Sequence, residues 1–161
     1  MKLKTTIIRL LMVAFALTAF AMAQAPKLEL TIIDEKVNMS HAEKEGRAAI
    51  TYRPGDVIRY TIIATNVGDA VLTSPLITDP VPMGVSYLPN TADGLNSVIT
   101  FSVNNGQLFQ AWPPTYRVLN ENGEYEERLA SPDMVTHVRW ELTKSLEPNE
   151  SHQMEFEVVV K

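Results

Sequence analysis

The stretch Tyr52–Pro82, YRPGDVIRYTIIATNVGDAVLTSPLITDPVP, decides the fold of this chain. It begins with Pro54-Gly55-Asp56, a turn tripeptide in which proline fixes φ and glycine adopts conformations that other residues avoid. Apolar and polar side chains then alternate over residues 57–65. A period of two predicts a strand with one buried face. That face carries Ile58, Tyr60, Ile62 and Ala64.

The second half of the stretch predicts a strand that runs back along the first. Asn66-Val67-Gly68-Asp69 contains residues that tolerate positive φ, so we expect the chain to reverse there. Residues 71–78 should then lie antiparallel to the first strand. Asp79-Pro80-Val81-Pro82 should end the pair, because neither proline can donate a hydrogen bond to a sheet.

Short alternating runs, separated by turn residues, continue through the rest of the chain. Residues 27–34 predict a first strand with Leu28, Leu30 and Ile32 facing inward. Asn105-Gly106 and Asn122-Gly123 each predict a hairpin turn. The last two strands should face the core with Val138, Trp140, Leu142, Met154, Phe156, Val158 and Val160. The pattern therefore predicts an all-β, antiparallel β-sandwich.

Several of these motifs together resemble a known family. They are PGD-x-I-x-Y-T-I-x-x-T-N-x-GDA, TDP-x-P-x-G-x-x-Y and the later WEL, LEPNES and MEFEVVV. Over residues 50–160 the chain resembles the conserved-repeat domain of bacterial surface and secreted proteins, also called domain of unknown function eleven. The resemblance implies an immunoglobulin-like sandwich with Greek-key connections, in an envelope or extracellular protein, without catalytic residues. Family members often carry tandem copies, whereas this chain holds one, which argues against a simple spacer.

Residues 1–23 have the composition of a cleavable signal peptide. Three basic residues precede the apolar run Leu10–Met22, which ends in the small-x-small triplet Ala21-Met22-Ala23. The run is shorter than the about 20 residues of a membrane-spanning helix. An uncleaved anchor is the alternative. We expect cleavage before Gln24, one domain over residues 24–161, no membrane span afterwards, and a location in the periplasm, at the cell surface or outside the cell.

Cleavage would leave a strongly acidic domain. Residues 24–161 hold 11 of the 14 basic and all 19 acidic residues, a net charge of −8. This charge argues against nucleic acid or an anionic membrane surface as a partner. The chain has no cysteine, so its hydrophobic core must hold the exported fold without disulfides.

Asp56 and Asp79 are the weak candidates for a metal site. Both should lie at one end of the sandwich, with Asp69 at the opposite end, so they could share a calcium ion. Calcium takes six to eight oxygen ligands, and only two are visible here. We therefore favour separate roles, in which each carboxylate accepts backbone N–H bonds and fixes its own turn.

A copper site is a further possibility, but the composition argues against it. The chain has three histidines and several methionines, but a blue-copper centre also needs a cysteine, which is absent. Scattered surface residues are the simpler interpretation of His41, His137 and His152, with Met39 and Met154. We expect no cofactor.

Trp112, Tyr116 and Tyr125 are candidates for a binding surface. Trp112 precedes two prolines in what we expect to be a stiff, exposed link, and an aromatic platform could bind a sugar or a partner protein. The same rings could instead cover a sheet edge.

The sequence favours binding over catalysis. It contains no Gly-x-Ser-x-Gly elbow, phosphate-binding glycine loop or paired-histidine zinc motif, so we expect no enzyme. We expect a structural or adhesive module that contacts envelope or surface proteins through its loops or a sheet edge. The alternative is a small periplasmic module that binds carbohydrate or metal.

Overall fold

The computed structural model describes residues 25–161, so the predicted signal peptide lies outside the described residues. A four-residue helix and a 3₁₀ turn, Pro132–Met134, accompany ten strands. In chain order the elements are β1 Leu28–Lys36, α1 His41–Lys44, β2 Val57–Asn66, β3 Leu76–Pro80, β4 Val85–Tyr87, β5 Asp93–Gly94, β6 Ser97–Ser102, β7 Thr115–Leu119, β8 Tyr125–Leu129, β9 His137–Leu142 and β10 Ser151–Val160.

The strands form two antiparallel sheets and a separate ribbon. The first sheet has the order β1-β2-β10-β4, and β5 also pairs with β10. The second sheet has the order β3-β9-β6, and within residues 25–161 β7 pairs with β8 alone. The predicted all-β, antiparallel β-sandwich is thus confirmed.

The core lies between the inner faces of the two sheets. The alternation predicted for β2, β9 and β10 is confirmed. Tyr60 and Val160 are half-buried against the core, and the other predicted inward residues of these strands are buried: Ile58, Ile62, Ala64, Val138, Trp140, Leu142, Met154, Phe156 and Val158. Full burial of a large apolar side chain contributes about 1.5–3 kcal/mol. Trp140 also keeps its indole N–H satisfied, because Nε1 donates to the Asp93 carbonyl at 3.0 Å.

The predicted hairpin between residues 57–65 and 71–78 is wrong. Strand β2 is flanked along its length by β1 and β10, so it has no free side for a further strand. The chain instead crosses to the second sheet, where β3 pairs with β9 and Ile77 lies opposite Trp140. The crossing is held by the isolated bridge between Leu72 and Leu146.

Of the two hairpins predicted at Asn-Gly turns, the structure contains one. Asn122-Gly123 connects β7 and β8, as predicted. Asn105 and Gly106 also adopt positive φ, but the following segment makes only the single bridge between Gln110 and Phe101. The predicted second strand of that hairpin is therefore wrong, because its residues do not continue a ladder.

Candidate functional site

Strand β1 is an edge strand whose apolar side chains remain exposed. Leu30 and Ile32 lie on the inner face, opposite Ala64 and Ile62, yet they are 43% and 52% exposed. Ile33 on the outer face is 50% exposed. The predicted faces are correct, but the expected burial is wrong, because the second sheet has fewer strands than the first and does not cover β1.

The register of β1 against β2 determines which backbone groups are free. Val67 N–H donates to the Lys27 carbonyl and Val37 N–H to the Val57 carbonyl, both at 2.8 Å. Odd-numbered residues of β1 therefore direct their backbone groups toward β2, and even-numbered residues direct theirs away. Among the described residues, β1 pairs with no strand other than β2. We call the free side of residues 28–34 the β1 edge.

A buried cluster of charges fixes the C-terminal end of β1. Lys36 Nζ lies 2.9 Å from Asp56 Oδ2, 3.1 Å from Glu43 Oε1 and 2.8 Å from the Thr51 carbonyl. The hydrogen bond to Asp56 raises the pKa of Lys36 and, in return, lowers the pKa of Asp56. Hydrogen bonds from Ser40, and then from Lys36, lower the pKa of Glu43 to about 2. The three groups are thus ionised at neutral pH and tie β1 to the following loop.

Polar contacts also fix the N-terminal end of β1. Asn66 Oδ1 accepts from the Lys27 N–H at 3.4 Å, and Asp69 Oδ1 accepts from the Ala25 N–H at 2.8 Å. Gly68 allows this approach, because a Cβ there would lie 2.3 Å from the Ala25 carbonyl oxygen. Polar contacts thus hold β1 in place at both of its ends.

The structure gives Asp56 and Asp79 different surroundings. Asp56 pairs with Lys36 and also accepts from the Arg53 N–H at 2.8 Å, so it fixes its own turn as favoured. Asp79 lies on the buried face of β3 with Ile77, and burial raises its pKa. No backbone N–H of the described residues donates to its side chain, so the favoured turn-fixing role is not seen for Asp79. No group of three or more histidine, aspartate or glutamate side chains suited to a metal occurs within residues 25–161.

The three candidate aromatics do not share one surface. Trp112 packs against Tyr87 and Phe101, with ring centroids 5.1 and 5.3 Å apart, so it belongs to the core margin rather than to an exposed link. Tyr116 and Tyr125 point to opposite faces of the β7–β8 ribbon, because Tyr125 pairs with Leu119 and side chains alternate along a strand. A ligand that contacts all three rings is therefore not supported by this geometry.

Tyr116 is the candidate aromatic that lines a depression. The depression has a volume of about 420 Å³, and Gln110, Arg117 and Glu127 also contribute to its walls. Tyr125 is 67% exposed. The Arg117 guanidinium lies over its ring, with Cζ 4.7 Å from the ring centroid. Binding of a sugar or protein at either tyrosine stays a prediction.

The three histidines are separated in the fold. His41 pairs with Glu45 in the helical loop, His137 belongs to β9, and His152 of β10 lies beside Ser97. Burial lowers the pKa of His152. The described histidines therefore do not form a copper cluster.

Comparisons with protein families, curated proteins and solved structures found no match for this chain. In the part of the chain that the structure describes, no helix has the length and apolar character needed to cross a membrane. The arguments for function therefore come from the molecule itself.

Sequence reasoning missed the residues that hold the β1 edge in place. Lys36 continues the inward series of Leu28, Leu30 and Ile32, and a lysine at an inward position would have indicated a buried ion pair. The exposure of Leu30 and Ile32 could not be predicted from the sequence. Alternation shows which residues share a face of a strand, but it does not show whether another sheet covers that face.

Proposed function

We propose that this chain is a non-enzymatic, exported binding module of the cell envelope or extracellular space, and that it contacts proteins through the β1 edge. The observation that carries this proposal is an open backbone edge beside exposed Leu30, Ile32 and Ile33. An extended segment of a partner can add to such an edge. Main-chain hydrogen bonds then supply affinity, and alternate side chains supply specificity.

Most of the usual protection of an edge strand is missing from the described part of β1, although Asp34 and Lys36 are charges on its inner face, and this supports a binding role. Natural edge strands are usually blunted by prolines, bulges, short length or inward-pointing charges. Strand β1 has nine residues, contains no proline and pairs with β2 without a bulge. Its charges are Glu29, Asp34, Glu35 and Lys36, so the four residues Leu30–Ile33 between them carry no charge.

The location rests on other support. Residues 1–23 have the composition of a signal peptide, which supports export. The acidic charge of the chain disfavours nucleic acid as a partner. These observations favour envelope or surface proteins.

The test is a crosslinking pull-down from intact cells, with the chain tagged after Lys161 as bait. The variant Ile32→Lys places a charge at the β1 edge, whereas Leu119→Lys makes a matched change on the β7–β8 ribbon, where Leu119 is 57% exposed. We expect wild type and Leu119→Lys to capture the same surface protein, and Ile32→Lys to lose it while keeping its melting temperature. Equal capture by both variants would exclude the β1 edge as the binding surface.

A further inference from the structure

We infer that the partner of the β1 edge is β1 of a second copy of this chain, antiparallel to the first, with a two-fold axis through Thr31. The inference rests on the proposed function, since it names the partner of the same edge. It follows from three properties of β1: its free backbone groups, its exposed apolar side chains and the order of its charges.

The backbone pattern fits this axis. A two-fold axis at Thr31 places Leu30 opposite Ile32 of the second copy, and Leu28 opposite Asp34. These even-numbered residues direct their N–H and C=O groups away from β2. Directly opposed residues of that kind exchange two hydrogen bonds per pair in an antiparallel ladder. The two first sheets would thus join into one continuous sheet without disturbing β2.

In the same register the central and the outermost side-chain pairs are complementary, whereas Leu28 lies opposite Asp34 and Glu29 opposite Ile33 of the second copy. On the inner face, Leu30 and Ile32 of each copy cover one another, which removes the exposed apolar surface from water. On the outer face, Thr31 meets Thr31, and Lys27 of each copy meets Glu35 of the other. Threonine pairs and opposite charges are favourable at directly opposed positions.

Neighbouring registers lack this combination. An axis at Ile32 places Glu29 opposite Glu35 of the second copy, twice, and directly opposed like charges are destabilising. An axis at Leu30 keeps the apolar contacts but gives no pair of opposite charges. The sequence of β1 therefore selects Thr31 as the centre.

The chain's lack of cysteine permits a direct test of the axis. In Thr31→Cys the two thiols face each other across a non-hydrogen-bonded pair, where Cβ atoms come within reach of a disulfide. In Ile33→Cys the thiol lies on the same face but opposite Glu29 of the other copy. It is therefore far from the Ile33→Cys thiol of that copy. Under mild oxidation we expect at least about tenfold more covalent dimer from Thr31→Cys than from Ile33→Cys.

Charge exchange tests the register independently. The protein, purified after expression of residues 1–161, should sediment at twice the monomer mass and dissociate on dilution. Lys27→Glu and Glu35→Lys should each weaken the dimer, because both create like-charge pairs at the interface. Mixed together, the two variants should form a heterodimer in which both pairs are again of opposite charge. Thermal unfolding of each variant checks that it remains folded.

Wild type that stays monomeric at every concentration, or equal crosslinking of the two cysteine variants, would overturn the inference. A monomer that still captures a surface protein, lost in Ile32→Lys, would leave the proposed function standing and remove only the second copy as partner. A dimer with the predicted crosslink, combined with unchanged capture by Ile32→Lys, would support the second copy and remove surface proteins as ligands of this edge.

Discussion

Replacing Asn66 with alanine should be among the most damaging single changes to this fold. The side chain is completely buried and makes four hydrogen bonds. Nδ2 donates to the Ala70 carbonyl at 2.8 Å and to the Leu146 carbonyl at 3.0 Å. Oδ1 accepts from the Gly68 N–H at 3.1 Å and from the Lys27 N–H at 3.4 Å. One amide thus connects β1, the crossing between the sheets and the β9–β10 loop.

The size of the loss can be worked from these contacts. A buried hydrogen bond contributes about 0.5–1.5 kcal/mol net, and a buried group left without a partner costs about 1–3 kcal/mol. Three short bonds and one long bond then give a loss of about 3–4 kcal/mol for Asn66→Ala. Because domains are stable by only about 5–15 kcal/mol, this is a large fraction of the total. For a domain of this size it corresponds to a fall in Tm of roughly 10–15 °C.

Denaturant unfolding of wild type, Asn66→Ala and a control measures this loss. The control, Asn120→Ala, removes a side-chain oxygen that also accepts two backbone N–H bonds, from Asn122 at 3.0 Å and Glu124 at 2.9 Å, but in an exposed turn. Solvent can replace those bonds, so we expect a loss below about 1 kcal/mol. If the two variants lost the same free energy of unfolding, the buried amide would not connect these segments as argued.

The variant Asn66→Asp adds a pH test to the same experiment. At neutral pH its carboxylate would face the Ala70 and Leu146 carbonyls without a proton to donate, so it should be less stable than Asn66→Ala. Protonation at lower pH restores one donor. The gap between the two variants should therefore narrow as the pH falls, and a gap independent of pH would contradict the assigned orientation of the amide.

Two further predictions concern Asp79 and Gly68. Burial raises the pKa of Asp79 in the folded state, so the ionised form is penalised above that pKa and the penalty is absent below the ordinary value of 3.8. Asp79→Asn should therefore raise Tm at pH 7 and give no gain well below pH 3.8, and an equal shift at both pH values would refute the assignment. Gly68→Ala should lower Tm and speed amide exchange in β1, because its Cβ would meet the Ala25 and Lys27 backbone at 2.3 and 2.5 Å. Gly123→Ala, where φ is +81° and the space is open, should cost only about 1 kcal/mol and leave β1 exchange unchanged.

Local features of this protein could be predicted because their causes are local. Side chains alternate along any strand, so the inward faces of β2, β9 and β10 followed from the order of residues alone. The turn at Asn122-Gly123 followed from residues that adopt positive φ readily. The role of Asp56 in its own turn also followed, since its N–H donor is only three residues away in Arg53.

The candidate site was harder to predict, because its decisive properties depend on contacts between distant segments. Trp112 looked like an exposed link, but Tyr87 and Phe101 cover it, and neither is near it in sequence. Lys36 is buried where the segment after β1 brings Glu43, Thr51 and Asp56 back to it. The β7–β8 ribbon separates Tyr116 from Tyr125 because the register of pairing places them on opposite faces.

The sequence by itself determined the all-β class, the strand faces and the turns, since these depend on neighbouring residues and on a repeat of two. Only the tertiary structure decided which strands pair and what covers them. It placed β3 in the second sheet rather than beside β2, because β1 and β10 already occupy both sides of β2. It also placed β1 at the rim of the first sheet, where, among the described residues, the narrower second sheet does not cover it and no strand pairs with its outer side.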